Sequence, residues 1–216
     1  IRLSLVGSEM CIRDSTGSVL QILGHLERAG HDAHVIAPDA VGMPARVHGA
    51  AVESMPSLAL PGYRNVRVGT SPARQVAASL RRFGPDVVHL ASPFALGWRG
   101  ALAAEHLGVA SVAAYQTDVA AYTQRYRIPA ATGVAQSHIA RLHRRATLTL
   151  APSADSAQQL AELGVDRIRR WGRGVDAERF RPDRRSVTLR AEWGSEVVIG
   201  YCLLYTSDAA DDSLRV

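Results

Sequence analysis

The run FGPDVVHLASPFALGWRGALAA, residues 83–104, decides how the chain is read. Gly84-Pro85 stops a preceding helix: glycine tolerates the left-handed backbone of a helix end, and proline cannot continue one. Val87, Val88 and Leu90 then make a short, β-branched apolar run, the length of a buried strand rather than a helix. Ser92-Pro93 turns the chain, and a helix is expected over 94–107. The unit is strand, polar turn, helix, with His89 inside the strand and Ser92 at its end.

Working outward, the same unit repeats. Upstream, SPARQVAASLRRF predicts a helix with Ser71 as N-cap and Pro72 at its first position. Before it come a weak strand at 65–68, a strand near 50–54 and a strand at 33–37 stopped by Pro38. A helix over 18–30 places Val19, Ile22, Leu23 and Leu26 on one face and ends at Gly30. Downstream lie a strand at 110–115, a polar loop QTDVAAYTQRY, a helix over 132–146, a strand at 147–153, a helix over 153–163 and a strand at 167–171.

Strands separated by helices of ten to fifteen residues imply an α/β fold, a Rossmann-like doubly wound parallel sheet. Right-handed crossovers put every strand C-terminus on one edge, where such folds bind ligands. The polar residues following strands are therefore the candidates: 89–93, 116–118, Ser153 and 173–176.

The chain carries formal charge +5, and all 25 of its Lys or Arg positions are Arg, a bias expected of a GC-rich genome. Aromatics are sparse and not interleaved with the arginines, which argues against nucleic acid. No stretch approaches the roughly 20 apolar residues of a membrane span.

The two ends read differently. The codons TGT CTC TTA TAC ACA TCT encode residues 202–207; on the complementary strand, in another frame, they read Met-Cys-Ile-Arg-Asp, the run at 10–14. Both ends resemble one sequencing-adapter element in opposite orientations, so 1–15 and 202–216 are expected to be foreign. Both cysteines, Cys11 and Cys202, fall there, leaving no disulfide framework in between. Setting these ends aside removes three Arg and five acidic residues, and the charge becomes roughly +7. Gly7-Ser8 then should not be read as a phosphate loop.

Within 16–201, GHLERAGHDAHVIAP, FGPDVVHLASPFALGWRGALAA, LAPSADSAQQL and WGRGVDAERFRP follow in an order that resembles the N-terminal half of GT-B glycosyltransferases of family 4. HLASP, YQTDVAAY and RWGRGVDAERFRP are similar in particular to the subgroup of actinobacterial GDP-mannose-dependent alpha-mannosyltransferases that act on lipid acceptors. The resemblance implies a truncated GT-B fold: 16–175 as the acceptor-side domain, and 176–201 as linker and start of a donor domain, with EVVIGY as its first strand.

The resemblance also implies a retaining transfer of mannose from GDP-mannose to a glycolipid or phosphoinositide-type acceptor, without cofactor or metal, at the cytoplasmic face of a membrane. The donor phosphate itself can take the acceptor proton, so the protein's task is to position substrates and stabilise charge. The family's phosphate-binding residues belong to the second domain, so this chain alone is expected to be inactive. Competing readings are a UDP-sugar-dependent glucosyl or sulfoquinovosyl transferase and a non-catalytic sugar- or nucleotide-binding domain.

Gln116, Thr117 and Asp118 are the expected substrate contacts, and Asp118 the candidate catalytic residue. Relatives often carry His at the place of Asp118; an ionised Asp only accepts hydrogen bonds, which suits a sugar hydroxyl rather than phosphate. Asp118 can also cap a following helix. His89, Ser92, Ser153, Tyr122, Arg173 and Gly174 complete the substrate-binding set. His89 can equally be a core histidine, Ser92 and Ser153 helix caps, Tyr122 with Tyr126 a packing face, and Gly172, Gly174 and Asp176 interdomain architecture. His31 and His34 straddle a turn with no third ligand, so no metal site is expected. Arg81-Arg82 and Arg141, Arg144 and Arg145 are solvated basic faces or docking points for anionic lipid.

Overall fold

The strand read from DVVHL sits next to the centre of a sheet that has eight strands among the described residues. The computed structural model describes residues 2–6, 14–60, 63–116, 129–172, 174, 176–178 and 180–194. The strands are β1 (Arg2–Val6), β2 (Asp32–Pro38), β3 (Arg46–Val47), β4 (Ala50–Met55), β7 (Val87–Leu90), β8 (Ala110–Ala114), β9 (Leu148–Ala151) and β10 (Ile168–Arg170); β5 (Ser57–Leu60) and β6 (Tyr63–Gly69) form a separate antiparallel pair. The large sheet has the order β10-β9-β8-β7-β1-β2-β4-β3, and all its pairings are parallel except that of β3 with β4. That hairpin closes through His48 and Gly49, at φ 45° and 70°, a two-residue turn that needs left-handed backbone at both positions.

The helices are α1 (Asp14–Arg28), α2 (Ala73–Phe83), α3 (Ala95–Leu107), α4 (Pro129–Arg145), α5 (Ala154–Glu162) and α6 (Val187–Glu192). Strand alternation sorts them onto two faces. Ile36, Met55, Val88, Leu90 and Ala113 join Val76 and Leu80 of α2, Leu96 and Ala104 of α3, and Leu142 of α4 in the main core. Ala151 and Tyr115 pack against Ile139 of α4 and Leu160 of α5. The opposite face carries Ala33, Val35 and Val87 against Val19, Ile22, Leu23 and Leu26 of α1.

Within the described residues the expected strands and helices are present; besides the unanticipated β3 and α6, they differ at three places. First, α2 begins after Pro72, not after a Ser71 cap: Pro72 is the N-cap, and its carbonyl accepts from Gln75. Ser71 is buried and its hydroxyl makes no cap bond, because Pro72, lacking an N–H, takes the extended backbone expected of a cap residue. At the other end, Gly84 at φ 66° closes the helix as anticipated. Second, 57–60 is a strand. Ser57 and Arg67 both donate to the carbonyl of Asp39, which joins this hairpin to the end of β2. Third, Arg2–Val6, in the stretch expected to be foreign, occupies the slot between β2 and β7. Such a slot accepts a short apolar run; Gly7 and Ser8 lie outside the described residues.

His34 is tied to neighbouring side chains. Its Nε2 faces Glu53 Oε2 at 3.2 Å and Ser79 Oγ at 3.3 Å, and its ring stacks on Phe83. Burial pushes the Glu53 carboxyl up. Hydrogen bonds from Ser79 and Arg82, with the charges of Arg82 and His34, outweigh it and hold the pKa below the ordinary value.

The chain divides into two compact units, 1–172 and 173–216. In the second, Ser186 caps α6 by accepting from Leu189 N–H at 3.2 Å. The segment at 196–201, expected to open a donor domain, lies outside the described residues.

Candidate functional site

β1 pairs with β2 on one side and β7 on the other, and the chain winds away from β1 in both directions. That reversal is a topological switch point, and the crevice beyond its strand C-termini is where open parallel sheets hold ligands. The ends of β7, β8 and β9 therefore form the candidate site.

At the end of β7, Ser92 and Pro93 are buried. The Ser92 hydroxyl accepts from the Phe94 N–H at 3.4 Å, although Phe94, the N-cap of α3, has no side-chain cap of its own. Two contacts fix this turn. His138 of α4 lies 2.7 Å from the Pro93 carbonyl; since a carbonyl only accepts, Nε2 carries the proton. The first turn of α3 approaches so closely that a Cβ on Gly97 would lie 1.7 Å from the Ser92 carbonyl oxygen. Only glycine fits there. Behind His138 stands Trp98, at 5.5 Å between ring centres, with the Arg145 guanidinium over the indole and paired to Glu105.

His89 occupies the other face of β7 from Val88 and Leu90, beside Val87. It is 6 % exposed, and its Nε2 has no hydrogen-bond partner among the described residues. Burial lowers its pKa to about 4, so the imidazole is neutral at pH 7. Its ring meets the edge of Trp171 at 6.5 Å between centres. Trp171 follows β10, three strands away, roughly 14 Å across the sheet at normal spacing. The register places its side chain on the face of Leu150, Ala114 and His89, and the small Ala114 leaves room for the indole to reach back.

Gln116, just past β8, is half-buried with both amide atoms shielded from solvent. Ser153, two residues past β9, caps α5, accepting from Ser156 N–H at 3.1 Å; it remains exposed. Thr117, Asp118, Tyr122, Tyr126 and Arg173 lie outside the described residues. Gly174, at φ 76°, and Asp176, whose carboxylate accepts from Glu178 N–H, belong to the second unit. The structure thus brings His89, Ser92, Gln116 and Ser153 to one sheet edge.

Trp171, His138 and Gly97 were not anticipated. Gly97 is one of three glycines in the quoted run and Trp171 opens the run WGRGVDAERFRP, but neither run singles them out; His138 and Trp171 depend on contacts 45 and 82 positions away.

The basic faces lie elsewhere. Each crossover helix returns from the ligand edge to the opposite one, so the last turns of α2 and α4, with Arg81, Arg82, Arg144 and Arg145, sit at the far edge. Arg82 is paired with Glu53 at 2.8 Å and Arg145 with Glu105. Among the described residues, no group of three His, Cys, Asp or Glu is placed to hold a metal, and no helix is long and apolar enough to cross a membrane.

A parallel sheet wound both ways from a central strand, with its candidate site on the C-terminal edge, is the Rossmann-like architecture of a GT-B half. It superposes on a sucrose-phosphate synthase from Thermosynechococcus elongatus with a TM-score of 0.58 at 12 % identity, covering 90 % of this chain and 52 % of that one. The model of Glycosyltransferase Family 4 matches residues 17–179, and the chain belongs to that family. It is 44 % identical over 84 % of its length to a GDP-mannose-dependent alpha-mannosyltransferase of Mycolicibacterium smegmatis, and 41 % identical over 91 % to one of Mycobacterium tuberculosis. A sulfoquinovosyl transferase of Arabidopsis thaliana is 34 % identical over 69 % of the chain and 30 % of its own length. The chain spans about half the length of the mycobacterial relatives it matches, 49 % and 53 %.

Proposed function

We propose that this chain is the acceptor-side half of a retaining glycosyltransferase that moves mannose from GDP-mannose to a lipid acceptor. The observation that carries the reading is the 44 % identity to a GDP-mannose-dependent alpha-mannosyltransferase across 84 % of the chain. The bond between the sugar C1 and the diphosphate oxygen breaks, and one between C1 and the acceptor hydroxyl oxygen forms on the same face. The hydroxyl proton passes to the departing phosphate, giving GDP and the mannosylated lipid. Cleft residues of this half, including Gln116 and Asp118, orient the acceptor hydroxyl; no resident metal takes part. The second half supplies the diphosphate contacts, so the 216-residue chain alone transfers nothing. The arginines of α2 and α4 meet anionic lipid, at the cytoplasmic face, only from the sheet edge away from the site.

The 34 % identity to the sulfoquinovosyl transferase supports a second reading, a UDP-sugar donor. The test joins this chain to the C-terminal half of the M. smegmatis relative and supplies labelled GDP-mannose or UDP-glucose with a lipid extract. Mannosyl lipid from the joined protein and none from the chain alone is expected. Preference for UDP-glucose moves the assignment to the second reading. Failure with either donor by a folded protein overturns both and leaves a binding module.

A further inference from the structure

Resting on that reading, we propose that His89 and Trp171 form a subsite for an uncharged polyhydroxylated ring, with His89 Nε2 as its hydrogen-bonding end and the Trp171 indole as its wall. A polar atom buried on a strand, with no protein partner, is destabilising by about 1–3 kcal/mol, and such groups persist where a ligand completes them. His89 is such a group, 6 % exposed and unpartnered among the described residues. It lies beside the switch point, where a ligand is expected.

The chemistry of the pair selects the ligand. In a neutral imidazole Nε2 offers one donor or one acceptor, according to the tautomer, and no charge, which suits a hydroxyl and gives a phosphate no counter-charge. An indole offers a flat apolar face and suits the C–H face of a sugar or cyclitol. The indole stands edge-on to the imidazole at 6.5 Å, on the same side of the sheet. Leu150 and Val112, half-buried on that side, continue the apolar wall. Two sources can present this chemistry: the sugar being transferred, or a polyol headgroup on the acceptor.

The test uses the 216-residue chain and its tryptophan emission, with Trp171→Phe identifying the share that comes from Trp171. Methyl α-mannoside represents the donor sugar, myo-inositol the acceptor headgroup and inorganic pyrophosphate the charged alternative. A saturable change with one of the two polyols is expected, absent in Trp171→Phe and weakened roughly tenfold in His89→Leu. His89→Leu should fold and melt higher than the parent, since it removes an unpaired buried polar atom; a structural histidine would give a lower melting point and unchanged binding. His89→Gln, which keeps a polar group, should recover part of the affinity. No response to either polyol overturns the subsite, as does a response unaffected by His89→Leu, or binding of pyrophosphate at this pair. The outcome is separable from the transferase reading. Polyol binding by the chain without transfer by the joined enzyme retains the subsite alone. Transfer with unchanged KM for both donor and acceptor in His89→Leu retains the reaction alone.

Discussion

The two faces of the sheet are built differently. One is covered by α2, α3, α4 and α5 in succession, and Leu80, Val88, Leu96, Ala104 and Leu142 there are almost wholly excluded from water. On the other, α1 alone among the described helices packs against the strands, over Ala33, Val35 and Val87. Toward β8 and β9 that face shows half-buried Val112, Leu148 and Leu150, with Trp171 laid across. The covered face holds the fold together; the thinner face carries the imidazole of His89. Two buried histidines make the contrast concrete. His143, on the covered side, meets Thr149 Oγ1 through Nδ1 at 3.1 Å and lies edge-on to Tyr115, its Nε2 unpaired like that of His89; among the described residues His89 makes no hydrogen bond and has only the ring of Trp171.

The largest expected effect comes from acid. Burial lowers both histidines from 6.5 to about 4. Below pH 6.5 the unfolded chain takes up protons that the folded chain refuses, so stability is complete above that pH and is lost as pH falls toward 4. Each residue contributes roughly 3 kcal/mol to the loss. Urea midpoints across this window should fall with a slope approaching two protons, and His89→Leu or His143→Gln should each remove one. At pH 7 the two part: His89→Leu raises the midpoint, whereas His143→Gln lowers it by disturbing the Thr149 contact. Equal behaviour at pH 7 would erase the distinction between the faces.

Next is Gly97→Ala. In an exposed helix this change stabilises by about 1 kcal/mol. Here the added carbon meets a backbone oxygen at 1.7 Å, so a loss of about 3 kcal/mol is expected in chemical denaturation, with the turn at Ser92 displaced. A stabilised variant would show that the approach of α3 to β7 is looser than described. Smaller again is the difference between Leu80→Ala and Val112→Ala. The first empties a closed core and should lower stability by about 3 kcal/mol; the second trims a half-buried side chain on the open face and should lower it by about 1.

What could be read ahead follows from locality. β7 and α3 are written in one stretch, apolar run, Ser-Pro turn and helix, so their order and the sheet edge followed from the sequence. The hairpin strand Ser57–Leu60 was missed because it is held by the Asp39 carbonyl, a partner outside its own run. The start of α2 was misplaced by a residue because serine's capping preference was weighed above proline's own extended backbone. His89 could be named as a candidate but not distinguished from a core histidine. That required the empty valence at Nε2 and an indole arriving from 82 positions later.

The smallest effect probes the ligand edge without touching either face. Ser153 follows β9 and its hydroxyl accepts from the Ser156 N–H, one of the orphan donors at the start of α5. Ser153→Ala should lower stability by about 1 kcal/mol, and Ser153→Asp, which supplies an acceptor of similar reach, should restore it. Because Ser153 is exposed at the same edge as Gln116, the two substitutions also separate capping from substrate contact. If capping is its only task, the Asp variant of the joined enzyme keeps both stability and acceptor KM. If the hydroxyl also donates to substrate, stability returns while KM stays raised, because a carboxylate cannot donate.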